Sequence, residues 1–559
     1  MPRAKRVDSV PAMPAPQTVA EATSYKATSK HADVMAFIEA LAPLAGDKLS
    51  VQTMGSSAEG REIPVLVLSA EKLFTPEKAH RAATERGIPV VMIICNIHAG
   101  EVEGKEAGLM LARDMTIGGK HAELMARATV VLVPIYNPDG NDRIDVKHRA
   151  LDLKAMDGQV GPEGGVGTRY TGAGVNLNRD YTKLEAVESR ALMALFGSWN
   201  PHLLVDSHTS DGSIHGYDLT FDTSHTLLAG PRAPILYSRD TMLPAIGKSL
   251  EARTGFRTWF YGNFRNNDDP QSGWETYPGL PRYGSHYRGL TGRLDILLEA
   301  YSYIPFDRRV AVTYEIFVEI LEYAGDHGRE IVELLARSAH DTVTRGRDPQ
   351  PDDVVGVNYG VASRAENGEL AYRYPAYALS EAEIEAWDME TQLARRLTGG
   401  TRKKWRNVFY CRFVPEISVR RPRGYLVPAA RTDVVDHLRA HNVDVERVPP
   451  EFATSRVERY VVLSKETTHS PDVGNQPRRE TVLFVRRETQ DGHASAAGDW
   501  FVPMDQPLAH VAIYLLEPES DDGLVRWGWF DALNAGDVYP VLRVPGRAGL
   551  APPPRARKE

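Results

Sequence analysis

Runs of branched apolar residues alternate with helical spacings over the first 345 residues of the chain. Residues 88–97 (IPVVMIICNI) and 129–136 (TVVLVPIY) are typical of strands that are buried on both faces of a sheet. Shorter apolar runs lie at residues 63–68, 203–205 and 294–298. Helical spacing predicts helices over residues 31–44, 101–115, 189–199 and 308–340, the last one long and amphipathic. This alternation predicts an α/β fold with a mixed, largely parallel central sheet flanked by helices.

The pattern changes after residue 345, where a polar, proline-containing stretch (RGRDPQPDD, 345–353) predicts a linker. Beyond it we expect one helix, over residues 434–441, and short strands at residues 408–413, 425–427, 460–463, 481–485, 511–516 and 539–544. The predicted organisation is a disordered leader at 1–25, an α/β domain at 26–345, a β-rich accessory region at 350–545 and a disordered tail at 546–559.

Composition limits the classes of partner. The 559 residues include 66 Lys and Arg against 74 Asp and Glu, a net charge of −8, which argues against a nucleic acid as the main partner. Two cysteines exclude a disulfide-stapled scaffold, and no apolar run is long enough to cross a bilayer. The basic start is not followed by the apolar segment of a signal peptide, so a cytoplasmic location is favoured. A misassigned start that removed an export signal is the alternative.

Four polar residues lie at the ends of three predicted strands. His98 and Glu101 follow the run at 88–97, His208 follows the run at 203–205, and Glu299 follows the run at 294–298. Ligand sites of open α/β sheets gather outside the carboxyl ends of the strands. Two histidines and a glutamate can hold a catalytic zinc that keeps its fourth position for water. The helical H-E-x-x-H motif, the P-loop and the G-x-S-x-G elbow are all absent from the sequence.

A set of ordered motifs over about residues 30–330 resembles the zinc metallocarboxypeptidases, the family that includes carboxypeptidase A. The segments that carry the resemblance are GSSAEGR at 55–61, NIHAGE at 96–101, PIYNPDG at 134–140, VNLNRDY at 175–181, DSHTSDG at 206–212 and LLEAYSY at 297–303. They look closest to a bacterial branch with an added C-terminal domain. The resemblance implies a zinc carboxypeptidase fold for the catalytic domain at 26–345.

The resemblance also implies the metal site and the base. His98, Glu101 and His208 would hold one zinc ion per chain. Glu299 would be the general base that takes a proton from water and returns it to the leaving amine. Zinc lowers the pKa of a bound water to about 7, so the nucleophile would be available at neutral pH.

Further residues would bind the substrate or stabilise its transition state. Asn178 and Arg179 match the pair that recognises the terminal carboxylate, which suits the planar fork of a guanidinium. An arginine downstream of the NPDG turn should stabilise the oxyanion; Arg149 is the candidate, with Arg143 and Arg169 as alternatives. The family also uses a tyrosine near the scissile bond, for which we choose Tyr287, with Tyr283 and Tyr277 as alternatives.

The expected function is therefore the removal of C-terminal residues from peptides, or from amino-acid-derived substrates, that carry a free carboxylate. One alternative is a zinc-dependent deacylase, amidase or cell-wall peptide hydrolase on the same fold. A non-catalytic binding module is the other, and the complete set of ligands and base argues against it. Nothing in the accessory region indicates chemistry, so a structural or dimerising role is favoured there.

Overall fold

The computed structural model describes residues 14–152, 154–267, 269–359, 361–364, 370–373, 376–387, 402–448, 455–470, 478–493, 495–496 and 498–546. The helices are α1 Val19–Ala22, α2 His31–Ala45, α3 Pro76–Arg86, α4 Glu103–Thr116, α5 Leu124–Arg127, α6 Pro138–Asp142, α7 Val187–Trp199, α8 Arg232–Tyr237, α9 Leu243–Thr254, α10 Gly284–Thr291, α11 Phe306–Asp326, α12 Gly328–Arg347, α13 Thr432–Ala440 and α14 Ala509–Leu516. A short 3-10 turn over Leu177–Arg179 also matters for the site.

The strands of the first 345 residues are β1 Leu49–Ser56, β2 Glu62–Leu68, β3 Val90–Cys95, β4 Thr129–Val133, β5 Leu203–Ser210, β6 Leu219–Asp222, β7 Thr258–Phe260, β8 Asn263–Phe264, β9 Trp274–Glu275 and β10 Leu294–Tyr301. Those of the accessory region are β11 Val354–Asn358, β12 Val361–Arg364, β13 Leu370–Arg373, β14 Ala376–Trp387, β15 Arg402–Phe413, β16 Ile417–Arg420, β17 Gly424–Val427, β18 Glu446–Arg447, β19 Ser455–Ser470, β20 Arg478–His493, β21 Trp500–Pro503 and β22 Leu542–Val544.

The central sheet has eight strands in the order β1-β2-β4-β3-β5-β10-β6-β7. Its middle four strands are parallel to one another, whereas β2 pairs antiparallel with both β1 and β4, and β6 pairs antiparallel with β10. Every residue of β3, β4 and β5 is buried, as expected of parallel strands that are covered on both faces. The predicted α/β fold with a mixed, largely parallel sheet is confirmed.

Two apolar layers cover the sheet. One packs α2, α4, α9 and α11 against one face, and Val91, Val205 and Ile296 point into it. The other packs α3, α7 and α10 against the opposite face, where Met92 and Leu204 point. The second layer continues without a break into the accessory region through α13 and α14. The accessory region therefore shares a core with the α/β region instead of forming a separate body.

Three sequence predictions are wrong where the structure describes the residues. The leader is ordered from residue 14: a capping box at Thr18 begins α1, and Glu21 pairs with Arg113 at 2.8 Å. The helix predicted over 308–340 is two helices, because α11 ends before His327 and α12 begins at Gly328. The strand predicted at 511–516 is α14; a short apolar run that is buried all round does not distinguish a helix from a strand.

The accessory region is otherwise rich in strands, as predicted. Long strands β14 and β15 extend a small sheet of the first region, because β15 runs parallel to β9. A second sheet has the order β18-β21-β17-β22-β19-β20. The tail predicted to be disordered lies outside the described residues from 547 onward. Across the described ranges, no helix has the length and apolar character that a membrane span would need.

Candidate active site

Three neighbouring strands of the central sheet bring the predicted polar residues together. Glu299 on β10 is the register partner of His208 on β5, and these strands are parallel. Side chains alternate between the two faces of a strand. His208 therefore points to the same face of the sheet as Leu204, and Glu299 points to the face away from Leu298. Both side chains therefore point to the same face, side by side. His98 and Glu101 reach this place from the end of β3, the other neighbour of β5.

His98, Glu101 and His208 form one buried cluster. Nδ1 of His98 lies 3.1 Å from Oε1 of Glu101, and Nδ1 of His208 lies 3.0 Å from Oε2 of the same carboxylate. The two Nδ1 atoms are 3.2 Å apart. Each of the three residues is at most 4% exposed. The donor atoms thus converge on one point from the turn after β3 and from strand β5.

A tight turn after β3 delivers the first two members of the cluster. Asn96 adopts the left-handed region (φ +65°), which asparagine tolerates better than branched residues, and its amide Nδ2 bonds to the carbonyls of Ala99 and Glu101 at 3.4 Å. A side chain at Gly100 would come within 2.9 Å of Cδ of Arg149. Glycine at this position therefore lets Arg149 pass beneath the turn.

Two residues that were not predicted from the sequence lie next to the outer nitrogens of the histidines, Asn176 by a hydrogen bond and Asp206 at ion-pair distance. Oδ1 of Asn176 lies 3.1 Å from Nε2 of His98, and Oδ2 of Asp206 lies 3.3 Å from Nε2 of His208. Such outer partners fix the tautomer and the orientation of a metal-binding histidine. Asp206 could have been found from the sequence, because it precedes His208 by two residues on one strand and so shares its face.

The electric field of the cluster favours a cation. Burial disfavours the charged form of His208, but Asp206 and Glu101 outweigh it and hold the pKa of His208 well above its usual range. Burial, with Arg169 nearby, lowers the pKa of His98 to about 3, so its Nδ1 lone pair is available. Burial also raises the pKa of Glu299 to about 8, although His208 and Arg149 act in the opposite direction.

The cluster fits a zinc ion. Zinc bound tetrahedrally at ~2.0–2.1 Å places neighbouring ligand atoms ~3.3–3.4 Å apart. The three spacings here, 3.1, 3.2 and 3.0 Å, are close to that value. The donor set is also the one that catalytic zinc prefers, namely imidazole nitrogen and carboxylate oxygen. His98, Glu101 and His208 are therefore the residues that would hold the metal.

Arginines form one wall of the pocket in front of the cluster. Arg149 donates from Nη1 to Glu101 at 3.2 Å, from Nη2 to the carbonyl of Thr209 at 3.0 Å and from Nε to Gln159 at 2.7 Å. Arg169 also lines the pocket, with Nη1 3.5 Å from Glu101 and 37% of its side chain exposed. Arg143 does not line it, because its guanidinium pairs with Glu59. The structure therefore leaves Arg149 and Arg169 as oxyanion candidates.

The same pocket also contains the predicted carboxylate-binding pair. The 3-10 turn at Leu177–Arg179 presents Asn178 and Arg179 to the pocket. Asn178 accepts a hydrogen bond from the backbone N–H of Gly284 at 2.9 Å, and the guanidinium of Arg179 lies 4.1 Å from the ring centroid of Tyr283. Both contacts tie this turn to the start of α10.

The tyrosine prediction needs a correction. Tyr287 lies one helical turn deeper in α10, and its hydroxyl bonds to Nδ1 of His441 at 2.7 Å, outside this pocket. The tyrosines that do line the pocket are Tyr261, Tyr277 and Tyr283. Spacing before Glu299 could not separate these residues, because the chain between β7 and α10 is mostly irregular.

Two of the quoted motifs support the site without lining it. Asp139 of the NPDG turn accepts hydrogen bonds from the Ser57 hydroxyl at 2.6 Å and from Nη1 of Arg61 at 2.7 Å. Asn137 caps the same turn and donates to the carbonyl of Ile97 at 3.3 Å. The GSSAEGR and NPDG segments thus brace the turn that carries His98.

Comparison with known proteins identifies this arrangement. Residues 34–220 match the zinc carboxypeptidase family, and the matched segment includes all three residues of the cluster. These residues form a zinc carboxypeptidase domain. The domain makes the protein a metallopeptidase of the hydrolase class, and the family resemblance predicted from the motifs is confirmed. Glu299 lies beyond the matched segment.

Curated relatives extend the similarity along the chain. Carboxypeptidase 2 of Trichophyton rubrum is 21% identical over 521 residues, which cover 87% of this chain and 81% of that protein. A probable carboxypeptidase 2 of Arthroderma benhamiae is 24% identical over 500 residues, with coverages of 83% and 79%. Among solved structures, a metallo-carboxypeptidase from Burkholderia cenocepacia is 19% identical and covers 53% of this chain and 68% of its own, with a TM-score of 0.36.

Proposed function

We propose that this zinc carboxypeptidase removes the C-terminal residue of peptides and that Glu299 is its general base. The observation that carries the proposal is the register of β5 and β10, which sets Glu299 beside His208 in the pocket that also holds Arg179. Zinc, when bound, activates a water molecule and polarises the scissile carbonyl. Glu299 then accepts the proton of the attacking water and delivers it to the leaving amine.

Asn178 and Arg179 bind the free carboxylate of the substrate. Arg179 supplies the charged fork that holds a carboxylate with two hydrogen bonds. The ring of Tyr283 fixes the plane of its guanidinium. The pair and the metal cluster line the same pocket, so a substrate held by its terminal carboxylate would present its last peptide bond to the cluster. Such binding would make the enzyme an exopeptidase.

Arg169 is the arginine that stabilises the oxyanion of the tetrahedral intermediate. All three nitrogens of the Arg149 guanidinium already donate to protein oxygens, including Glu101 and Thr209. Arg169 faces the same pocket, and its side chain is more exposed than that of Arg149, 37% against 17%. Arg149 accordingly holds Glu101 in place, and Arg169 reaches the substrate.

The test compares Glu299→Gln with the wild type and with Glu333→Gln, a glutamate on the exposed face of α12. Loss of a general base costs about 10²–10⁴-fold in kcat. We expect such a loss in Glu299→Gln with zinc content and fold unchanged, and no loss in Glu333→Gln. A zinc chelator should abolish the activity of the wild type. Normal peptide cleavage by zinc-loaded Glu299→Gln would exclude this mechanism. Cleavage of N-acyl amino acids but not of peptides would favour a deacylase instead.

A further inference from the structure

A second cavity lies between the α/β region and the accessory region, apart from the active-site pocket. It has a volume of about 300 Å³, within the range of small-molecule sites. Helices α7, α10 and α12 form one side of it, and the chain after α13 and before α14 forms the other. Its apolar walls include Met193, Phe196, Tyr287 and Leu508.

Two arginines of this cavity form no ion pair within 4.0 Å among the described residues, although Asp295 lies near enough to Arg288 to raise the pKa of its guanidinium. Arg288 is 2% exposed, and its Nε atom has no hydrogen-bond partner, while Nη2 donates weakly to the carbonyl of Pro201 at 3.4 Å. Arg293 lies beside it in the same cavity. Within the described part of the chain, no carboxylate oxygen lies within 4.0 Å of either guanidinium. Asp444 lines the cavity as well, but its exposed side chain is also beyond that distance.

This lack of pairing sets Arg288 apart from other buried arginines of the protein. A carboxylate oxygen lies within 4.0 Å of each of the following buried guanidinium groups: Arg239, Arg282, Arg309, Arg421, Arg526 and Arg543. A buried charge without a partner is costly. Burial lowers the pKa of Arg288, and burial together with Arg288 lowers the pKa of Arg293 to about 10. The two like charges disfavour each other, and Asp295, whose charge opposes this effect at Arg288, has no oxygen within 4.0 Å of the guanidinium, so an anion in the cavity would be favoured.

We propose that this cavity binds a small carboxylate with an apolar body, and that Arg288 and Arg293 hold its charged group. The unpartnered Nε of Arg288 belongs to the planar edge of the guanidinium that suits a carboxylate. Met193, Phe196 and Leu508 would cover the apolar body. His441 and Gln506 add buried polar groups to the same wall, and burial holds the pKa of His441 well below its usual range, so it adds no positive charge.

Octanoate is the probe for this site, and calorimetric titration of the full chain is the measurement. We expect saturable binding of one octanoate, at least tenfold weaker binding of octan-1-ol, and at least tenfold weaker binding of octanoate to Arg293→Gln. Arg288→Gln should weaken it as well, but Arg293 is the less buried of the two and its variant is the safer test of a folded protein. Peptidase activity of Arg293→Gln reports that it is folded.

Arg179→Gln separates this site from the active site, since Arg179 is the other arginine proposed to bind a carboxylate. Octanoate binding should persist in Arg179→Gln. The proposal is overturned if the wild type shows no saturable binding, if Arg293→Gln binds as well as the wild type, or if Arg179→Gln abolishes binding. Inorganic phosphate carries a charge but no apolar body. If phosphate binds as tightly as octanoate, the apolar wall of the cavity plays no part in binding and the proposal is overturned.

Discussion

In the proposed mechanism, Arg179 is the residue that selects substrates with a free C-terminus. Its guanidinium stacks on Tyr283, and its Nη1 donates to the carbonyl of Asn178 at 2.9 Å, so the group is held in one plane. A lysine could keep the charge but could not form the two parallel hydrogen bonds that a guanidinium offers to a carboxylate.

We therefore expect Arg179→Lys to lower kcat/KM for peptides with a free C-terminus. Hydrogen bonds to a charged group are worth about 1.5–3 kcal/mol, which corresponds to roughly a 10- to 150-fold loss. The loss should fall mainly on KM, measured by steady-state kinetics. Arg143→Lys is the matched control, because Arg143 pairs with Glu59 outside the pocket, and the kinetics of this variant should not change. An equal loss in both variants would contradict this role for Arg179.

Some residues of the candidate site could be predicted from the sequence, and others could not. The metal cluster follows from polar residues at strand ends, because parallel strands bring their carboxyl ends to one edge. Asn176 could not be predicted as the partner of His98, since 78 residues separate them and only the folded chain brings Oδ1 within 3.1 Å of Nε2. The prediction of Tyr287 as a pocket residue was wrong. Its position along α10 directs its side chain to His441, and sequence distance from Glu299 does not reveal that direction.

At the scale of an element, α13 and the residue that follows it connect the accessory region to the α/β region through hydrogen bonds of two buried histidines, His437 and His441. Nε2 of His437 lies 2.9 Å from the carbonyl of Thr182, and Nδ1 of His441 lies 2.7 Å from the hydroxyl of Tyr287. Burial lowers the pKa of His437 to about 4. The histidine therefore stays neutral in the folded protein.

This contact should make α13 sensitive to acid. A histidine whose pKa is lower in the folded than in the unfolded state binds fewer protons when folded. The neutral residue supports folding fully above pH ~6.5, and this support is lost as the pH falls towards 4, by up to ~1.4 kcal/mol per pH unit. Thermal midpoints of the wild type should therefore fall more steeply over this range than those of His437→Gln. His340→Gln, at an exposed position of α12, should follow the wild type. Parallel curves for the wild type and His437→Gln would contradict the prediction.

Helices and strands were predicted correctly where the spacing of the apolar residues and the length of the run both indicate the same kind of element. Strands β3 and β4 are short, buried runs of mainly branched apolar residues, and α2 has apolar residues at Val34, Phe37, Ile38 and Leu41. The errors share one cause. Whether the apolar run of α14 forms a helix or a strand depends on the elements that pack around it. Whether one helix continues through His327 depends on such packing as well.

At the scale of the whole molecule, buried ion pairs join the two regions. Nη1 of Arg282, just before α10, lies 2.7 Å from Glu480 on β20, and its Nε lies 2.9 Å from Asp522. The side chains of all three residues are at most 5% exposed. The accessory region therefore completes the environment of α10, the helix that carries pocket residues at its start.

Removing one partner of this group should destabilise the whole chain. Asp522→Asn leaves the Arg282 charge without one of its two acids, and breaking a buried pair costs about 3–5 kcal/mol. We expect a clear drop in the thermal midpoint and loss of peptidase activity at a lower temperature than in the wild type. Glu71→Gln breaks the exposed pair with Arg86 and is the control, for which no measurable change is expected. If unfolding of the α/β region is unchanged in Asp522→Asn, the two regions do not depend on each other as described.

The sequence by itself determined the α/β class, the residues of the His98–Glu101–His208 cluster and the zinc carboxypeptidase family. These follow from local patterns: apolar runs, the polar residues that end them, and motifs of a few residues each. The tertiary structure alone decided which arginines and tyrosines line the pocket, and that α13 and α14 share the apolar core on one face of the sheet. Those features depend on contacts between residues far apart in the chain, and such contacts leave no periodic trace in the sequence.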